Sequence, residues 1–321
     1  MKALQIITVG VMLLLLQLNS CLAQNYPSKP IRMIHAVGTG ASSDIIGRFL
    51  ASTIGVQLGR PVVVENIPGA GGTIGMTTAA KAVADGHTLV MITEAQAVAQ
   101  NLYRQFSYRL IEDFSPITQF STGYFIALIH PQVPAKSVKE LVDLAKAKPG
   151  QLNYATAGNG TGIHLAAALF KSMAAVDIVH VPFKGTGPGL TALLGGQVEL
   201  MFLGVPSSRD LIRAGKLRAL GITASKRSSS FPELPTIGET VSGYEMTTWQ
   251  GVAAPVNTPH AIIEKLHDTY VRLLQAPEVR AKFQELGVEG VGSSSESFSG
   301  YIKAEVGRYG EAVRASGMPI E

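Results

Sequence analysis

The chain has 321 residues, enough for two domains at roughly 100–200 residues each, which excludes a small disulfide-stabilised peptide. Apolar residues make up 46% of the sequence and charged residues 16%, so long disordered segments are not expected. The formal net charge is +4 and no run of five basic residues occurs, which argues against a nucleic-acid-binding protein.

Residues 1–23 have the features of a cleaved secretory signal peptide. Lys2 is their only charged residue, an apolar stretch follows it, and Ala23 supplies a small residue at a cleavage point. No later segment approaches the about 20 apolar residues that a membrane-spanning helix needs. We therefore expect a free periplasmic protein. The alternative is a lipid anchor at Cys21, the only cysteine, because residues 18–21 (Leu-Asn-Ser-Cys) resemble a lipoprotein box.

The segment after the leader predicts alternating strands and helices. Helix 44–58 has apolar residues along one face, Ser42 or Ser43 as a cap and Gly59 just beyond its end. Strands that alternate with helices of this length form βαβ units and a parallel sheet. The other elements predicted here are strands 31–36, 62–65 and 88–93 and helix 73–84.

The same alternation restarts near residue 125, which indicates a second α/β unit. The C-terminal part has helical patterns and no strand of its own, so we expect it to cover the first unit. The predicted strands are 125–129, 152–155, 178–182, 198–203 and 217–223, and the predicted helices are 138–146, 162–173, 189–194, 207–214, 259–274, 277–286 and 295–315.

A strand-like run at 247–254, which contains Trp249, would return the chain from the second unit to the first. Two crossings, near residues 120 and 245, would then join two lobes around a cleft. We therefore predict an α/β fold with lobe 1 at 24–121 and 246–321 and lobe 2 at 122–245.

Two loops share one design, in which a strand leads into glycine and hydroxyl residues and a helix follows. They are residues 40–44 (Gly-Ala-Ser-Ser-Asp) and 158–161 (Gly-Asn-Gly-Thr). Such a loop presents unpaired backbone N–H groups and the positive end of the helix dipole, which suits an anion. Because each lobe has one at the carboxyl end of a strand, we expect a small carboxylate to bridge them. The alternative is that the glycines of these two loops only form tight turns and bind no ligand.

Each of two side chains near these loops has two alternative roles. His164 follows the second loop and could donate to a ligand oxygen or hold neighbouring backbone. Lys184, in Lys184-Gly185-Thr186-Gly187, could contact the ligand or be a solvated loop charge. Another glycine cluster lies at 68–73, and we interpret it as a structural turn in preference to a ligand-binding loop.

The signatures of common enzyme classes are incomplete or absent in the sequence. There is no G-x-S-x-G elbow and no G-x-x-x-x-G-K-[ST] phosphate loop. Ile163 stands where the third glycine of a dinucleotide fingerprint belongs, and no H-E-x-x-H zinc motif occurs. We therefore expect no catalysis, no cofactor and no metal.

Short motifs that follow one another through the mature chain carry a family resemblance. They are 26–31 (Tyr-Pro-Ser-Lys-Pro-Ile), 65–72 (Glu-Asn-Ile-Pro-Gly-Ala-Gly-Gly), 113–116 (Asp-Phe-Ser-Pro), 158–161 with His164-Leu165, 181–185 (Val-Pro-Phe-Lys-Gly), 194–198 (Leu-Gly-Gly-Gln-Val), 214–220 (Ala-Gly-Lys-Leu-Arg-Ala-Leu) and Trp249 before Ala254-Pro255. In these motifs the chain resembles the extracytoplasmic solute-binding proteins of tripartite tricarboxylate transporters, the Bug family.

The resemblance implies a type II periplasmic binding protein, a two-lobe clamshell that captures a small organic carboxylate and passes it to a membrane permease. It also implies that backbone amides and waters at loops 40–44 and 158–161 hold the carboxylate. We expect a monomer. One alternative is a ligand sensor that docks to a membrane kinase, and another is a small-molecule hydrolase or transferase.

The chain departs from the family after strand 88–93, where small residues and a histidine are usual and Thr93-Glu94-Ala95-Gln96 stands instead. A carboxylate at Glu94 would repel a second carboxylate of the ligand. We therefore predict a ligand with a cationic or hydroxyl-rich end, not a simple tricarboxylate. The complete set of predicted ligand-binding residues is Gly40, Ala41, Ser42, Ser43, Asp44, Thr93, Glu94, Gly158, Asn159, Gly160, Thr161, His164, Lys184, Gly185 and Thr186.

Overall fold

The computed structural model describes residues 26–320. The predicted signal peptide and Cys21 lie outside the described residues, so cleavage and lipid anchoring stay predictions.

The first lobe begins with parallel strands in the order β2-β1-β3. Helix α1 packs against them because Ile46, Leu50 and Ile54 share its buried face, and it ends at Gly59, whose φ of 67° suits glycine. These predicted elements are confirmed with small shifts at their ends. Their bounds are β1 (Ile31–His35), α1 (Ser42–Leu58), β2 (Val62–Asn66), α2 (Thr73–Ala80) and β3 (Thr88–Thr93).

A helix that the sequence did not predict, α3 (Glu94–Leu102), follows β3 directly. It begins with a capping box, in which Thr93 accepts the N–H of Ala95 and Gln96 accepts the N–H of Thr93. Glu94 is therefore the first residue of a buried helix and not part of a loop.

Two long antiparallel strands connect the lobes. β4 (Phe114–Ile129) pairs with β9 (Thr247–Pro255) along its first part, as far as the Tyr124–Thr247 pair. From Phe125 onward it pairs with strands of the second lobe. Strand β9 enters after the second lobe and runs antiparallel to both β3 and β4, so the sheet is mixed beyond the predicted parallel strands. The predicted lobe boundaries at 121/122 and 245/246 stay predictions.

The second lobe repeats the α/β pattern around parallel pairs β5–β6 and β5–β7. Two of its helices begin earlier than predicted, α6 at Thr186 and α7 at Val205, which brings Thr186 into a first helical turn. The elements are α4 (Val138–Ala147), β5 (Leu152–Thr156), α5 (Gly162–Met173), β6 (Ile178–Pro182), α6 (Thr186–Leu194), β7 (Leu200–Gly204), α7 (Val205–Arg213) and β8 (Arg218–Ile222).

The C-terminal part contacts both lobes. Asn101 of the first lobe donates to the carbonyl of Val306 at 2.8 Å, and Ser172 of the second donates to the carbonyl of Ala315 at 2.7 Å. The expectation that this part has no strand of its own is wrong, and its last helix contacts the second lobe as well as the first. Its elements are α8 (His260–Gln275), α9 (Pro277–Leu286), β10 (Glu289–Gly290), which pairs with β4, and α10 (Ser295–Ser316).

The second crossing between the lobes is anchored by Trp249, which is fully buried. Its ring packs edge-on against Phe298 and Tyr301 of α10, and its Nε1 donates to Glu305 at 3.1 Å. Arg308 holds Glu305 through two hydrogen bonds of 2.8 and 2.7 Å. Strand β9 is thus fixed to α10 beside the cleft.

Candidate functional site

A cavity between the two lobes is lined by residues of both and holds about 50 Å³. That is room for a few water molecules, since one needs roughly 10–15 Å³, and far less than the roughly 300–1,000 Å³ of small-molecule pockets. A small molecule would fit here only with the lobes further apart. A larger hollow of about 730 Å³ lies next to it, lined in part by Tyr124 and Val288, but it contains none of the predicted ligand residues.

Both lobes contribute predicted residues to the small cavity. The lining residues that the sequence predicted are Ala41, Ser42, Ser43, Thr93, Glu94, Thr161 and Thr186, and the polar ones that it did not predict are Tyr124, Thr248 and Gln250.

Three helices begin at this cavity without a side-chain cap. They are α1 after Ala41, α6 after Gly185 and α7 after Gly204. The first N–H groups of a helix have no partner inside the helix and carry the positive end of its dipole. Thr186, 1% exposed, adds a hydroxyl that has no hydrogen-bond partner among the described residues. Groups of this kind favour an anion.

The two other helices that begin here, α3 and α5, are capped. Thr93 Oγ1 accepts from the N–H of Ala95 and donates to Gln96 at 3.0 Å. Thr161 Oγ1 accepts from the N–H of His164 at 3.3 Å and donates to the carbonyl of Gly158 at 2.8 Å. Thr93 and Thr161 line the cavity, but their hydroxyl groups already have partners inside the protein.

Glu94 reaches across the cavity from α3 to the start of α5. Its carboxyl packs so closely on Gly162 that a methyl group there would lie 2.6 Å from Oε1. Its Oε2 accepts weakly, at 3.5 Å, from the N–H of Trp249. Burial raises the pKa of Glu94 to about 7; its own N–H and that of Trp249 oppose the rise and Glu305 adds to it. Glu94 therefore exchanges a proton near neutral pH.

The first glycine loop touches the second lobe directly. Ser207 of α7 donates to the carbonyl of Gly40 at 3.0 Å, so the 2.9 Å contact between Ser42 and Ser207 uses the hydrogen of Ser42. Gly38 approaches Gly185 so closely that a methyl group on Gly38 would lie 3.4 Å from the Cα of Gly185. The cleft is thus closed at this edge. No sequence motif points to the contact that Ser207 makes across it.

Asp44 shapes the first loop and does not line the cavity. Its carboxylate accepts from the N–H of Gly40 at 3.1 Å, from Arg48 and from Asn66 at 2.9 Å. Burial alone would raise the pKa of Asp44, but these three hydrogen bonds outweigh it and hold the pKa below its ordinary value. Gly40 also lies outside the cavity lining, because its N–H and carbonyl are held by Asp44 and Ser207.

Asn159 and Gly160 of the second glycine loop contact the end of α3 rather than the cavity. A methyl group at Gly160 would lie 3.0 Å from the Tyr103 ring, and the Tyr103 hydroxyl donates to the carbonyl of Asn159 at 3.4 Å. Gly158, Asn159 and Gly160 are therefore placed between the lobes but outside the cavity lining.

His164 is buried and lies outside the cavity lining. Its Nδ1 accepts the N–H of Gly160 at 3.4 Å, and its ring stacks on His180 at 4.1 Å. Burial, and then the neighbouring His180, lower the pKa of His164 to about 3, so the ring is neutral at physiological pH. His164 thus contacts neighbouring backbone, and its predicted contact with a ligand oxygen stays a prediction. Lys184 is exposed and also lies outside the lining.

Residues 46–318 match the family described as "Tripartite tricarboxylate transporter family receptor". The chain belongs to this receptor family. BugT of Bordetella pertussis is 34% identical over 304 residues, 93% of this chain and 93% of BugT. A solved structure from R. palustris with adipate is 31% identical with a TM-score of 0.89, and the match covers 92% of this chain and 99% of that one.

MatC from Rhodopseudomonas palustris with bound malate is 30% identical to this receptor with a TM-score of 0.84, and the match covers 90% of this chain and 100% of MatC. These similarities confirm the predicted two-lobe periplasmic binding protein fold and the predicted family. Between residues 26 and 320 of the receptor, no helix combines the length and the apolar character that crossing a membrane requires.

Proposed function

We propose that this receptor binds a small organic carboxylate between its lobes in the periplasm, without turnover, and delivers it to the permease of a tripartite transporter. The observation that carries the proposal is the convergence of three uncapped helix starts, α1, α6 and α7, with the unpartnered Thr186 hydroxyl on one cavity. Family membership supports it, as do the adipate and malate in the related solved structures.

Hydrogen-bond energies are sufficient for such a site. A hydrogen bond to a charged group contributes about 1.5–3 kcal/mol, whereas association costs roughly 4–15 kcal/mol. Four to six donors, a number that three helix starts and Thr186 supply, therefore support roughly micromolar affinity. A carboxylate bridging Ser43 of α1 and Thr186 of α6 stabilises the closed arrangement, because it contacts both lobes only when they are together. The permease would then recognise the closed form.

Binding is tested on the mature chain by calorimetry with adipate, malate, succinate and inorganic phosphate. Thr186→Val removes one donor to the carboxylate and should weaken binding roughly 10- to 100-fold. Thr191→Val on the same helix is the matched control, because Thr191 is exposed and bonds only to the carbonyl of Gly187. Binding of phosphate but of no carboxylate would contradict the proposal.

Export and delivery need separate measurements. The mass of the mature N-terminus distinguishes cleavage after Ala23 from acylation of Cys21. Uptake of the bound carboxylate by cells, and its loss when this chain is deleted, tests delivery to a permease. Unchanged uptake in the deletion strain would refute the transport role while leaving ligand binding intact.

A further inference from the structure

We propose that the cavity is bipolar and that its ligand is a carboxylic acid with an ammonium group, which pairs with Glu94. The proposal rests on the proposed function and names the ligand class. It is based on how the helix starts around the cavity divide into two groups.

One end of the cavity is built for an anion. The uncapped starts of α1, α6 and α7 meet there, and Thr186 points an unpartnered hydroxyl into the same space. No acidic side chain belongs to this end, because the carboxylate of Asp44 is turned to Arg48 and Asn66 outside the lining.

The other end is acidic. The starts of α3 and α5 meet there, both already capped by Thr93 and Thr161. Glu94 fills the gap between them, with its carboxyl against Gly162. A ligand carboxylate placed at this end would find no cationic side chain among the described lining residues, and it would face the carboxylate of Glu94.

Glu94 has no cationic partner of its own among the described residues. The ionised form is favoured only by two backbone N–H groups, and the charged side chain that acts on it, Glu305, is also acidic. The cation of this cluster, Arg308, is bound to Glu305. Tyr301 and Tyr309 of α10 are neutral near pH 7, since burial raises the pKa of both. On the α5 side, His164 is neutral as well.

A buried carboxylate without a partner is unfavourable, so an occupied cavity must supply Glu94 with a proton or a cation. A dicarboxylate offers no cation, so Glu94 must then take up a proton. An ammonium group instead pairs with the ionised Glu94 by a charge-assisted hydrogen bond. The ammonium ligand therefore satisfies both ends of the cavity at pH 7.

The decisive experiment is calorimetry with matched acids on the wild-type chain and on Glu94→Gln. One series contains 4-aminobutanoate, 4-hydroxybutanoate and succinate; another contains L-alanine, L-lactate and propionate; a screen of the common amino acids with adipate and malate completes the panel. We expect the tightest binders to carry an ammonium group, with at least a tenfold preference over the hydroxyl or carboxylate analogue. Glu94→Gln should abolish that preference, and Glu112→Gln, at an exposed glutamate of the same lobe, should retain it.

The pH dependence on the wild-type chain gives a second readout that does not depend on how the variant folds. An ammonium ligand binds the ionised Glu94, so its affinity should fall as the pH drops below about 7, approaching tenfold per pH unit. A dicarboxylate binds the protonated form, and its affinity should instead rise as the pH drops.

The experiments distinguish a failure of this inference from a failure of the proposed function. If the tightest binder lacks an ammonium group, or if the preference persists in Glu94→Gln, this inference is overturned while the carboxylate-binding function stands. If no carboxylic acid in the panel binds, the proposed function itself fails.

Discussion

Replacing Gly162 with alanine tests whether the carboxyl of Glu94 lies against the start of α5 as the structure has it. The added methyl group would lie 2.6 Å from Oε1, 2.7 Å from Cγ and 3.1 Å from Cδ of Glu94. Overpacking of this kind typically costs about 1–3 kcal/mol. The higher helix propensity of alanine over glycine offsets up to about 1 kcal/mol of this cost. We therefore expect a net loss of about 1–2 kcal/mol in the free energy of unfolding.

The control for this substitution is Gly300→Ala in α10, where nothing lies within 4 Å of the new methyl group. It should stabilise the protein by about 0.5–1 kcal/mol, because alanine favours the helix. Urea unfolding at pH 8, followed by circular dichroism, measures both variants. The double variant with Glu94→Ala should recover most of the loss at Gly162, since it removes all three crowded atoms.

Two results would refute this reasoning. Gly162→Ala could be as stabilising as Gly300→Ala, which would mean that the Glu94 carboxyl lies elsewhere. The loss could also persist unchanged when Glu94 is alanine, which would mean that the crowding comes from other atoms.

Other predictions concern the closed edge and the buried histidine. Ser207→Ala removes two hydrogen bonds between the lobes, about 1 kcal/mol each. It should increase the radius of gyration of the ligand-free protein in small-angle scattering and weaken carboxylate binding by up to roughly 30-fold, whereas Ser52→Ala, on the outer face of α1, should do neither. His164 stays neutral when folded but takes up a proton when unfolded, so its part of the stability is lost as the pH falls below about 6.5 towards its folded pKa of about 3. His164→Gln should reduce the slope of unfolding free energy against pH by about 1.4 kcal/mol per unit in that window, and an unchanged slope would show that His164 is already protonated in the folded protein.

Helix α3 begins with a signal that the sequence itself contains. Almost every residue from Glu94 to Leu102 is buried, including the polar Glu94 and Gln96, so the helix is covered on its polar side as well. The capping box Thr93-Glu94-Ala95-Gln96 nevertheless marks a helix start in the sequence itself. With it, Glu94 could have been assigned to a helix from the sequence.

The direction of β4 and β9 could not be predicted in the same way. Local sequence predicts a strand at 247–254, but the strand runs antiparallel to β3 only because the chain returns from the second lobe at the opposite end of the sheet. Similarly, the apolar run at 125–129 predicts the last part of β4, whereas local sequence does not predict the part before it. Polar residues such as Thr118 and Ser121 interrupt that part, and their hydrogen bonds to Ser293 and Gln250 come from distant segments.

The glycine loops show why a motif locates an anion site only approximately. The loop at 158–161 and the turn at Gly185-Thr186 look alike in sequence, because each places glycine and a hydroxyl group before a helix. The hydroxyl of Thr161 caps its own helix, whereas Thr186 is one residue later, inside the first turn, and has no partner among the described residues. That single step in register decides whether the hydroxyl caps its own helix or stays available to a ligand. The register depends on where the helix begins, and helix ends are the part of a structure that sequence predicts least well. Capped and uncapped helix starts can therefore be told apart only in the structure.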